Sequence, residues 1–146
     1  MKAESNLGGL LGKANRLLSN QFNQALTNHG ITIEQWTLLA VLWGDDGVSQ
    51  KTLQDALLKD KATINSLVGY LLKNGFITKE RDINDKRSFI ISLSEKGSAM
   101  RFSTGPLAMK SIESATKDID ADELAITTKV LTQIINNLTK GKENGK

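Results

Sequence analysis

Residues 60–93 read DKATINSLVGYLLKNGFITKERDINDKRSFIISL, and the change of period inside this stretch decides the fold. As far as Lys73, apolar side chains recur at Ile64, Leu67, Val68, Leu71 and Leu72, the spacing of a helix with one buried face. Asp60 stands where an N-cap accepts hydrogen bonds from the first turn, and Asn74-Gly75 supplies a C-terminal stop. Beyond it the period falls to two. Residues 76–81 and 87–93 are rich in β-branched and aromatic side chains and are joined by Asp82-Ile83-Asn84-Asp85-Lys86. The pattern predicts a helix followed by a β-hairpin with a charged tip.

Working outward, Ser49 is a good N-cap for a short helix that carries Leu53, Ala56 and Leu57, and Lys59-Asp60 makes the turn into the next one. The segment from Ile33 to Trp43 is apolar almost all round and predicts a buried helix, broken by Gly44-Asp45-Asp46-Gly47. Upstream, Leu7, Leu10, Leu11, Ala14, Leu17, Leu18, Phe22 and Leu26 form one stripe of an amphipathic helix that ends at His29-Gly30. Downstream, Ser94 caps a helix through Met100 and Phe102 that Gly105-Pro106 is expected to interrupt or kink. A last amphipathic helix opens at Asp120-Ala121-Asp122-Glu123. The fold class expected is mainly α with a small β-hairpin wing, in one domain over 1–146. Residues 31–97 form its winged helix-turn-helix, and 141–146 a disordered tail.

Composition excludes several functions. The chain has 146 residues, no cysteine and one histidine, so thiolate metal sites, cysteine nucleophiles and thiol redox sensing are absent. No nucleophile–base pair, carboxylate dyad or metal cluster stands at useful spacing, and no catalytic residue, metal or cofactor is assigned. Gly8-Gly9-Leu10-Leu11-Gly12-Lys13 imitates a phosphate loop but is one residue short, has Ala14 where Ser or Thr is needed, and follows no strand. There is no apolar run of membrane-spanning length and no secretory signal pattern, so no membrane partner is expected and the location expected is cytoplasmic. The formal net charge is +3, and the excess sits in residues 49–97, which hold nine lysines and arginines against six acidic residues. A phosphate-contacting module has that distribution, and so does a scatter of solvated lysines.

In a helix-turn-helix the second helix enters the major groove of DNA. Here its outward side carries Lys61, Ala62, Thr63, Asn65, Ser66, Gly69, Tyr70 and Lys73. Asn pairs with adenine, Ser and Thr bond base edges or phosphates, and Ala packs on a thymine methyl. The same set also serves as a plain solvent face. At the hairpin tip, Lys86 and Arg87 place cations where a ribbon reaches a minor groove, and Asp85 is suited to orient Arg87. His29 is a candidate contact for an anionic ligand. Trp36 is a candidate wall of a ligand pocket between the first two helices.

The ordered motifs ITIEQW (31–36), VSQKTL (48–53), DKATI (60–64), LLKNGFI (71–77), DKRS (85–88) and SLSEKG (92–97) together resemble the MarR family of bacterial regulators. The resemblance implies that the helix starting after Asp60 lies in the major groove. It implies that Arg87 probes the minor groove with Asp85 orienting it, and that Ser49, Gln50 and Thr52 lie near the phosphate backbone. It implies a homodimer built from residues 1–30 and 98–140, a repressor on pseudo-palindromic double-stranded DNA, and release by a small-molecule effector. Where Ser66 and Tyr70 stand the family often carries arginine or another long polar residue, and an acidic one at Gly69. A winged-helix module that binds protein instead of specific DNA is the alternative that this sparse face leaves open.

Overall fold

The computed structural model describes the backbone of residues 3–144 and the side-chain surroundings of residues 6–140. Helix α1 spans Ala3–Leu26 and runs into a 3-10 turn, Thr27–His29, which Gly30 closes at φ 74°. Helix α2, Ile33–Gly44, begins with a capping box: Thr32 accepts from the N–H of Gln35, and the Gln35 side chain accepts from the N–H of Thr32. Strand β1 is Val48–Ser49, α3 is Gln50–Leu57 and α4 is Lys61–Lys73. Strands β2, Ile77–Arg81, and β3, Phe89–Leu93, form the hairpin, followed by α5, Glu95–Ala115, and α6, Ala121–Asn144.

The hairpin is the larger part of a three-stranded antiparallel sheet in the order β1-β3-β2. Strand β1 has only two residues, too few to show a period, and it forms because Val48 pairs with Ile91 in register. The Asp46 carboxylate fixes the turn before it by accepting from the N–H groups of Gly47 (2.9 Å) and Leu93 (2.8 Å). Around the sheet, Leu38, Leu39 and Leu42 of α2, Leu53 of α3 and Ile64, Leu67, Val68 and Leu71 of α4 form one core with Ile77 and Ile91. The buried face of α4 is Ile64, Leu67, Val68 and Leu71; Leu72, expected on that face, is exposed, because its position next to Leu71 turns it about 100° away from the core.

Two further expectations need correction. Helix α5 is not interrupted at Gly105-Pro106 but contains Pro106. An interior proline costs about 3 kcal/mol, and contacts on both sides of it offset that cost. Leu107 and Ala108 pack against the core, and buried Thr104 donates to the carbonyl of Met100 at 2.6 Å while accepting from the Trp36 indole at 2.8 Å. The tail expected over 141–146 is helical as far as Asn144, because Lys142 and Glu143 are good helix formers and no proline intervenes; residues 145–146 lie outside the described residues. By its internal contacts the chain divides into two compact units, Met1–Ser111 and Ile112–Lys146. Among the described residues the core draws on the first unit, while Ile112, Ile119, Ile126, Val130, Leu131, Ile135 and Leu138 of the second are exposed.

The tightest junction of the first unit is at Gly97. A Cβ there would lie 2.0 Å from the Phe76 carbonyl oxygen, so the first turn of α5 rests directly on the backbone leading into β2. The same glycine's carbonyl accepts from the Trp43 indole at 2.9 Å. Gly97→Ala is expected to destabilise the protein by about 1–3 kcal/mol. Gly69→Ala, where nothing lies within 4 Å of the added carbon, is expected to be neutral or stabilising by up to about 1 kcal/mol. Urea unfolding of both variants checks the contrast.

Candidate nucleic-acid interface

The starts of α3 and α4 and the turn between them are set by local contacts. The Ser49 side chain accepts from the N–H of Thr52 and lies 3.0 Å from the Thr52 hydroxyl, so the two hydroxyls are engaged with each other. Leu58 closes α3 in the left-handed region at φ 53°. Asp60 then caps α4 by accepting from the N–H of Thr63 at 2.8 Å. That bond, with the Thr63 hydroxyl adding to it, holds the Asp60 carboxyl below the usual carboxylate range. The cap is therefore charged at neutral pH, and its contribution is lost only as pH falls through the depressed value.

Lys61, Ala62, Asn65, Ser66, Gly69 and Tyr70 are exposed along α4, as the sequence leads one to expect. Thr63 is half-buried and turned toward its cap. Two of the exposed side chains are already engaged. Gln50 Nε2 of α3 donates to Asn65 Oδ1, cross-linking the two helices of the motif. The Tyr70 hydroxyl donates to the Gly30 carbonyl at 2.5 Å, so it faces the α1–α2 junction and ties α4 to it. Tyr70, a candidate base contact, thus has its hydroxyl engaged within the chain while its ring stays exposed. Its partner lies 40 residues upstream, and no local pattern signals such a bond.

The hairpin tip is ordered by its own acids. Asp82 accepts from the N–H of Asn84 at 2.9 Å, and Asp85 accepts from the N–H of Arg87 at 3.0 Å. Asp85 also approaches Arg87 Nε at 3.5 Å, while 94% of the Arg87 side chain remains accessible. Arg87 is thus held at its root and free at its end, beside an exposed Lys86. The Arg81 guanidinium donates to the Lys86 carbonyl and braces the tip from β2.

The candidate ligand residues His29 and Trp36 stand apart from the cavity at the α1–α2 junction. A cavity of about 370 Å³ lies at the α1–α2 junction, walled by Asn23, Thr27, Gly30, Ile31, Thr32, Gln35 and Tyr70. His29 is half-buried outside that wall. Trp36 packs edge-on against Phe22 (ring centroids 4.9 Å apart) and Trp43 (5.5 Å), with its indole N–H bonded to Thr104. Among the described residues no group of acidic or histidine side chains is placed to hold a metal ion, and no helix is long and apolar enough to cross a membrane.

The arrangement of a capped two-helix motif and an arginine-tipped hairpin has close parallels. Residues 20–101 match the family model described as transcriptional regulator SarA/Rot. The chain belongs to the MarR and SarA/Rot transcriptional regulators. Over 101 residues it is 31% identical to the organic hydroperoxide resistance transcriptional regulator of Bacillus subtilis, covering 69% of each chain. A MarR transcriptional regulator from Methanosarcina mazei superposes with a TM-score of 0.84 at 25% identity, covering 92% of this chain and 98% of that one. The fold also matches a mutant MarR from E. coli complexed with operator DNA, with a TM-score of 0.82 at 22% identity over 88% and 92% of the two chains. This regulator is thus a winged-helix, DNA-binding protein.

For this regulator, Tyr70→Phe separates the bond to Gly30 from a base contact. The variant is expected to lose about 0.5–1.5 kcal/mol of stability in urea unfolding and to keep the wild-type order of preference across a panel of single-base operator variants. A change of preference at one base pair would return Tyr70 to the recognition face.

Proposed function

We propose that this regulator acts as a homodimeric repressor that binds a pseudo-palindromic operator and is released by a small ligand. Each protomer lays α4 in the major groove, where Lys61, Ala62, Asn65 and Ser66 meet the bases. Gln50 and Thr52 lie toward the sugar-phosphate backbone, with Ser49 holding the turn that presents them. Arg87 enters the flanking minor groove, with Asp85 orienting its guanidinium and Lys86 beside it. The observation that carries the reading is Arg87, held at its root by Asp85 and open to solvent at its end.

The dimer is supported by apolar surface that a lone chain would not leave in water. Leu10 and Leu17 of α1, Phe102 and Met109 of α5, and Ile126, Ile135 and Leu138 of α6 are all exposed. The cavity at the α1–α2 junction is the candidate effector site, since its volume falls within the range of small-molecule sites and Tyr70 links it to α4. The chain has no cysteine, so any effector acts by binding and not by thiol oxidation.

Fluorescence titration of a fragment from near its own gene tests the reading. Wild-type protein is expected to bind tightly with a steep salt dependence, and Arg87→Ala to weaken binding at least several-fold while the dimer stays intact by sedimentation. Unchanged affinity in Arg87→Ala, or a stable species at the monomer mass of 15.9 kDa, contradicts it.

A further inference from the structure

The inner face of the hairpin does not end where the core ends. On β2 the side chains of Ile77, Lys79 and Arg81 alternate onto one side, and on β3 those of Phe89, Ile91 and Leu93 do the same. Cross-strand pairing sets Ile77 against Leu93, Lys79 against Ile91 and Arg81 against Phe89. Ile77 and Ile91 are buried in the core. One step outward, the half-buried Phe89 ring carries Lys79 Nζ 4.6 Å from its centroid and Arg81 Cζ 4.9 Å from it. Two cations resting on one ring are positioned, and not merely solvated.

Lys79 faces a cleft of about 320 Å³ between α3, α4 and the base of the hairpin. Lys61, Lys79 and Arg87 lie on its walls with Gln50, Asn65 and Ser88. Lys51 is a fourth lining cation, but it is paired with Asp55 at 3.0 Å. None of the lining residues is acidic. The cleft thus offers charge and neutral donors without a competing carboxylate, the composition that receives an oxyanion.

Its place identifies the anion. The cleft separates α4, which reads a major groove, from Arg87, which reads the adjacent minor groove. A duplex engaged by both must pass one sugar-phosphate strand between them. We propose that this cleft seats a backbone phosphodiester of the operator, with Lys79 its principal charge. The inference rests on the DNA reading above. The seat carries no base information: it fixes the register of the protein on the duplex, and specificity is left to α4 and Arg87.

Lys79→Gln tests it, since Lys79 is exposed and its loss leaves the core intact. In titrations of an operator fragment at several salt concentrations, the slope of log K against log salt is expected to fall by about one per bound protomer. Preference among operator variants stays unchanged. Lys110→Gln, an equal loss of charge at an exposed position on α5, is expected to leave the slope nearly unaltered. A Lys79→Gln slope equal to wild type, while Arg87→Ala still weakens binding, overturns the seat and leaves the DNA reading standing. Loss of effect in both variants overturns the DNA reading itself. Inorganic phosphate is titrated into free protein at constant ionic strength and followed by amide shifts. Saturation that Lys79→Gln abolishes, with no change in the DNA slope, assigns the cleft to a free anion and also overturns the proposal.

Discussion

The first unit depends on how closely α5 approaches the start of β2. Gly97 permits that approach because any side chain would meet the Phe76 carbonyl. Three bonds gather at the same place. The Trp43 indole donates to the Gly97 carbonyl, the Ser94 hydroxyl donates to the Gly75 carbonyl, and Lys96 Nζ donates to the Asn74 carbonyl at 2.8 Å while lying 4.3 Å above the Phe76 ring. The end of α4, the beginning of the hairpin and the first turn of α5 are joined there as one rigid piece. Helix α4, the hairpin and α5, whose Phe102 and Met109 are exposed, therefore share one close junction. Packing of this kind transmits a displacement instead of absorbing it.

Part of the exposed face of α4 is already engaged within the chain. Asn65 accepts from Gln50, and Tyr70 donates to Gly30. Groups engaged in this way must exchange partners to contact DNA, so the net gain from each is smaller than for a free donor. Lys61, Lys79 and the end of Arg87 enter no hydrogen bond or ion pair with the rest of the described residues beyond the Asp85 contact at Nε. That balance is what supports the proposed charge-driven attachment to the DNA backbone, with sequence read by few side chains.

Local chemistry was legible from the sequence. Ser49, Asp60 and Ser94 cap the helices they precede, and Gly30 and Gly75 take positive φ. The four-residue rhythm of Ile64, Leu67, Val68 and Leu71 is the buried face of α4, and the ordered motifs pointed to the right family. What escaped depends on contacts between distant residues. Pro106 is tolerated because Thr104, Leu107 and Ala108 find partners elsewhere in the chain. The Tyr70 hydroxyl is engaged because a carbonyl 40 residues away is within reach. Strand β1 exists only as a partner of β3. Lys79 was signalled by the alternation Ile77-Lys79-Arg81, which continues the core face into the cleft; charge alone hides that signal, since every surface strand carries lysines.

The central claim is that two copies of this chain read DNA with α4 and an arginine-tipped hairpin each. Chemical footprinting of a bound operator, with hydroxyl radical for the backbone and minor groove and dimethyl sulfate for guanine N7, tests it most directly. The account predicts two symmetry-related protected segments, each a major-groove patch with an adjoining minor-groove patch, whose centres lie about 10–10.5 base pairs apart or a multiple of that. A single protected segment, or uniform protection that ignores sequence, would contradict it.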